Sequence, residues 1–226
     1  MILLMAFKII VFTNINITII TVPDDYPTIE DAIANAPPGS TIFVRKGVYN
    51  INETIYIRKP LKIVGERHET IINGSSNIDS IIVIEQATNV SITGFTFINS
   101  NIQVMVNGGS YTFIYDNIFK NGNKYAISVG SHYSTPSLRV FIEYNRVMGE
   151  GYLAAIVLGS GKEHVVKGNY IEVYGNGVYS SIVALSNETI AIVVNAIVNI
   201  VSITKLVMGF MKLSPVSTPA SQYLVP

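Results

Sequence analysis

The chain has 226 residues and a mass of 24.7 kDa, long enough to bury a core without covalent staples, and its fifteen residues of each charge sign create no net field to attract nucleic acid. No basic cluster with interleaved aromatics suggests a nucleic-acid groove, and the lack of cysteine excludes disulfides, thiolate metal sites and cysteine nucleophiles while leaving the compartment open. Charged residues make up only 13% and the mean hydropathy is +0.40, so either part of the chain meets a membrane or much of it is strand covered on both faces.

Residues 1–21 form an apolar N-terminal segment. Its opening, MILLMAFKIIVF, has the hydrophobicity of an export-signal core or a first strand, although no charge precedes it and Lys8 interrupts it. In VPDDYPTIEDAIANAPPGSTIFV, Thr28 and Asp31 read as a capping pair, and Ile29, Ala32, Ile33 and Ala36 make one apolar stripe. These features predict a helix near 28–36. Pro37-Pro38-Gly39 ends it and releases the chain into the strand Thr41-Ile42-Phe43-Val44.

From there the sequence repeats. SITGFTF from Ser91, FIYDNIF from Phe113, FIEYNRV from Phe141, VVKGNYI from Val165 and AIVVNAI from Ala191 align on Ile92, Ile114, Ile142, Val166 and Ile192. The alignment places Phe95, Asn117, Asn145, Asn169 and Asn195 in one column, at separations of 22, 28, 24 and 26 residues. One period upstream, KIVGERH sets Gly65 beside Gly94, and a second register links Ile127, Ile156 and Ile182. A repeat of about 25 residues, built from short β-branched strands between Gly, Asn and Ser turns, predicts a β-solenoid.

Asparagine tolerates the left-handed backbone of tight turns, and its amide can bond its counterpart one coil away, ~4.8 Å along the stack. Asn117, Asn145, Asn169 and Asn195 are therefore expected to form a ladder. Alternation puts Ile114 and Phe119 inside, with Tyr115 and Ile118 outside. The segment IAIVVNAIVNIVSITKLVMGF, residues 190–210, is long enough to cross a bilayer, but its β-branched residues and its place in the repeat favour a last coil; membrane association is the less favoured reading. A Pro/Ser-containing tail follows from 213 to 226, leaving 22–212 for the solenoid. The helix at its start answers a physical need, because the first coil would otherwise expose an unpaired edge and an open apolar end.

TVPDDYPTIEDAIANAPPGSTIFVRKGVYN followed by IYIRKPLKIVGE resembles the N-terminal part of right-handed parallel β-helix repeat proteins of the pectin-lyase-like superfamily. That superfamily includes NosD-like proteins and archaeal surface proteins with carbohydrate-binding and sugar-hydrolase repeats. The resemblance implies an all-β, single-stranded right-handed parallel β-helix, here of six or seven coils with an N-terminal capping helix, in an extracellular, cell-surface or periplasmic setting. It leaves activity open.

Catalysis has specific demands. Glycoside hydrolysis needs two carboxylates at a set separation, and lyase chemistry in this superfamily usually needs a base with carboxylate-bound calcium. The adjacent acidic pairs Asp24-Asp25 and Glu30-Asp31 lie before or in the cap, and the Gly-His-Gly and Arg-Ile-Lys motifs of polygalacturonases are absent. His68, His132 and His164 lack metal-ligand spacing, so no metal or cofactor is expected. Asn-x-Ser/Thr sequons at Asn16, Asn52, Asn73, Asn89 and Asn187 permit glycosylation without indicating it.

One outward stripe is mixed in character. Positions just after the aligned isoleucine and asparagine columns bring Tyr115, Glu143, Arg146, Lys167 and Tyr170 onto successive coils, and rings beside charge suit a sugar that is apolar on its faces and polar around its rim. The same residues also make an ordinary solvated face with a Glu143 to Lys167 cross-strand pair. The sequence thus leads to a non-catalytic carbohydrate-binding or structural surface module with a polysaccharide or cell-surface glycan as partner. A degenerate or fragmentary polysaccharide lyase or hydrolase is the first alternative, and a membrane-anchored scaffold the second.

Overall fold

Period-two alternation, interrupted every few residues by a turn, winds the chain into stacked coils. A computed structural model describes residues 17–130, 135–174, 182–184, 191–194 and 197–198. Every strand pairing among them is parallel and joins one coil to the next, giving a right-handed parallel β-solenoid with three sheets. Sheet one runs through Ile19–Val22, Thr41–Val44, Lys62–Gly65, Ser91–Thr93, Ser110–Tyr115, Ser137–Glu143, His164–Lys167 and Ala191–Val194, with short Gly161–Lys162 beside Ser137–Glu143. Sheet two runs from Gly47–Ile51 to Ile197–Val198 and sheet three from Ile55–Ile57 to Ile182–Ala184; their seven and six described strands correspond to about six turns.

The register reproduces the repeat. Ile92, Ile114, Ile142 and Val166 stand opposite one another in succession, and Ile127, Ile156 and Ile182 do the same in sheet three. Only the last coil departs from the alignment: Val193 rather than Ile192 faces Val166, and Ile197 faces Tyr170, a slip of one residue. β-Branched residues on both sides of that coil make the two phases equally apolar, so composition could not separate them. Within 190–210 the described residues are therefore strands extending sheets one and two. Among the described residues no helix is long and apolar enough to cross a membrane.

Inside, apolar columns fill the tube. Phe97 stacks on Phe119 at 5.1 Å between ring centroids, with Phe95 beside them. At the first end, the helix Ile29–Asn35 lays Ile29, Ala32 and Ile33 into the core. Thr28 caps it as expected, accepting from the Asp31 amide at 3.0 Å and donating to the Asp31 carboxylate at 2.8 Å.

The asparagine ladder is internal. Asn117, Asn145 and Asn169 are fully buried at the corner between sheets one and two. The side-chain oxygen of Asn145 accepts from both the backbone and side-chain amides of Asn117, at 3.0 and 3.2 Å, and that of Asn169 serves Asn145 likewise at 2.9 and 3.0 Å. Each side-chain amide also donates inward to a strand carbonyl, of Ile92, Ile114 or Ile142, at 2.7–3.0 Å. Phe95, aligned with the asparagines, supplies only its backbone N–H, which donates to Asn117 at 3.1 Å. Asn195 lies outside the described residues.

Candidate ligand-binding face

Three consecutive strands of sheet one make an outward grid. In Ser110–Tyr115 the side chains of Tyr111, Phe113 and Tyr115 point out while Thr112 and Ile114 are buried. The next coil sets Arg139, Phe141 and Glu143 against them, and the one after sets Glu163, Val165 and Lys167. Neighbours along a strand are ~7 Å apart and neighbours between coils ~4.8 Å.

The middle column is apolar. Phe113, 38% exposed, stacks on Phe141 with centroids 4.8 Å apart and planes only 6° from parallel. On the preceding coil the position opposite Phe113 is Ser91, too small to cover the ring. An aromatic pair of this kind would normally be sheltered in a core; here it stands on the surface.

The first column is polar and internally bonded. The Arg139 guanidinium donates through Nε to Glu163 at 2.6 Å and through Nη1 to the Tyr111 hydroxyl, and lies 5.2 Å from the centre of the Tyr111 ring. The bond to Glu163, followed by that carboxylate's charge, holds the guanidinium above its ordinary pKa.

The third column and the adjoining corner contain the residues predicted from sequence. Tyr115, Glu143 and Lys167 share one register column of sheet one, and Arg146 and Tyr170 share one column of sheet two across the corner. Glu143 and Lys167 stand opposite each other without forming an ion pair; the Lys167 ammonium lies 5.9 Å from the Tyr144 ring centre, and the Arg146 guanidinium 5.8 Å from that of Tyr170. Tyr170 donates to Glu172 at 2.7 Å, and that bond raises its pKa above the usual phenol value.

Sequence reading thus reached one edge of the grid and missed its centre, Phe113 and Phe141, and its far column, Tyr111, Arg139 and Glu163. The signal was present. Phe113 and Phe141 are the first letters of two aligned repeats, each directly before the aligned isoleucine.

Of the histidines, His132 lies outside the described residues. His68 bonds through Nε2 to the Asp116 carbonyl at 2.8 Å, and fully buried His164 accepts through Nδ1 from the Val140 N–H at 3.3 Å. Among the described residues no three of His, Asp and Glu gather as a metal site would require. A concavity of about 450 Å³ lies between the cap helix and Ile55–Ile57, but its cations are engaged: Arg58 pairs with Glu85 at 2.6 Å and Lys59 donates to the Ala34 carbonyl at 2.9 Å.

With this geometry in view, solved structures place the fold. An alginate lyase from Paenibacillus sp. str. FPU-7 superposes with a TM-score of 0.62 at 16% identity, over 74% of this chain and 62% of that one. The rice weevil pectin methyl esterase gives 0.54 at 11% identity over 84% and 79%, and a pectin methylesterase in complex with a hexasaccharide gives 0.53 at 17% over 82% and 79%. The shared fold is the parallel β-helix, and the chain spans less than two thirds of the length of that alginate lyase. No family model and no curated protein matches the sequence.

Proposed function

We propose that this chain is a carbohydrate-binding β-helix module, set outside the cell or on its surface, that holds a glycan across the outward face of sheet one. The exposed Phe113–Phe141 pair, stacked with its ring planes parallel, carries this reading. A sugar ring has apolar C–H faces and a polar rim, and here an apolar column stands between two columns of hydrogen-bonding and charged groups. That enzymes acting on alginate and pectin use the same fold is consistent with such a ligand.

Cleavage is the second reading, favoured by Tyr115, Glu143 and Lys167 in one column, where groups able to give and take protons adjoin the apolar strip. Native mass spectrometry with neutral and acidic oligosaccharides separates the two. Intact adducts abolished by Phe113→Ser support binding, shortened products support a lyase or hydrolase, and silence across the panel rejects both.

A further inference from the structure

Resting on the reading of this face as a glycan site, we infer that the Tyr111–Arg139–Glu163 column is its polar recognition element and that it selects a neutral sugar through two adjacent hydroxyls. These residues share a left-handed backbone, as do Asp116 and Tyr144 at the other end of the same strands, but here the side chains on it bond one another from coil to coil. At this corner four successive coils carry a left-handed residue: Asn89 at φ 55°, Tyr111 at 50°, Arg139 at 51° and Glu163 at 60°. Asparagine is the side chain that tolerates this region best after glycine, and it occupies the first of the four coils. Tyrosine, arginine and glutamate gain nothing from that backbone. Residues kept against local conformational preference, on consecutive coils and bonded to one another, point to work done by their side chains.

The bonding pattern specifies the work. A guanidinium has five N–H donors. Arg139 spends one from Nε on Glu163 and one from Nη1 on Tyr111, leaving three, while Glu163 uses Oε2 and retains Oε1 as an acceptor. Donors and an acceptor therefore lie side by side. A pair of neighbouring sugar hydroxyls, each of which both donates and accepts, complements that arrangement. A carboxylate does not, because it only accepts and would meet Glu163 as a like charge. Arg139 and Glu163 also cancel in charge, so the column offers a uronate no net attraction. Two residues along each strand, ~7 Å away, stands the phenyl pair, close enough for one sugar ring to pack against it while its rim reaches the column.

The test uses the full chain, isothermal titration calorimetry with neutral gluco-, manno- and xylo-hexaoses and with hexagalacturonate, and melting temperature measured separately. Arg139→Asn is expected to weaken the best neutral hexaose at least about tenfold with an unchanged or higher Tm, because asparagine relieves the backbone. Glu163→Gln, which leaves the Arg139 charge uncompensated, is expected to shift preference toward hexagalacturonate. Wild-type preference for hexagalacturonate, or unchanged neutral binding in Arg139→Asn, overturns the inference while leaving the face as a glycan site. Absence of binding by every sugar to the wild type removes the glycan reading itself, and this inference with it.

Discussion

At the scale of single residues, buried polar groups carry the largest consequences. Asn145 satisfies the Asn117 backbone N–H on one side and the Ile114 carbonyl on the other, so Asn145→Ala leaves both without a partner in a dry corner. The expected loss is about 3 kcal/mol in urea unfolding, whereas Asn101→Ala, in the exposed Asp79–Asn101–Asn123 row, costs under about 1 kcal/mol. His164 imposes a pH dependence. Burial holds its imidazole neutral and lowers its pKa from 6.5 to about 4, so the unfolded chain takes up the proton first as pH falls. Its contribution is whole above pH 6.5 and is lost progressively down to about 4, a change on the order of 3 kcal/mol. His164→Asn, which can keep an acceptor for the Val140 amide, is expected to flatten the stability profile between those limits relative to the wild type, as read by urea titrations at pH 7 and pH 4.5.

At the scale of the element, close approach of coils decides which positions accept a side chain. A Cβ on Gly65 would lie 2.6 Å from the Gly94 carbonyl oxygen, and backbone cannot yield there as a flexible side chain would. Gly65→Ala should cost about 3 kcal/mol and lower Tm by roughly 10 °C. Gly39 presents the opposite case, with no atom within 4 Å but a φ of +86°, so Gly39→Ala should cost only about 1 kcal/mol, from conformation alone. Differential scanning calorimetry of both variants distinguishes crowding from backbone strain. The Gly65 and Gly94 match was legible in the aligned repeats, as was the helix cap, because turn and cap chemistry are local. The Gln103 amide was not. It donates to the Lys120 carbonyl at 2.8 Å and accepts from the buried Tyr152 hydroxyl at 2.9 Å, linking residues 49 apart that no periodicity relates.

At the scale of the whole molecule, repetition made the sequence readable and also set the limit of the reading. Each coil must place apolar residues at equivalent points, so columns survive in the letters: Ile92, Ile114, Ile142 and Val166 inside, Asn117, Asn145 and Asn169 at the corner. Outward positions are under no such constraint. Ser91, Phe113, Phe141 and Val165 share one outward column with no common chemistry, and for that reason the centre of the candidate face was not found from the alignment while its neighbouring column was.

The parallel pairing has one further mechanical effect. All inter-coil backbone hydrogen bonds point along the stack, so tension between the first and last coils loads them head-on and parts one coil at a time, each yielding a similar length of chain at similar force. A load applied across the tube within a coil is carried by the covalent chain and by neighbouring coils in shear. The described coils are therefore compliant along the stack and stiff around their girth.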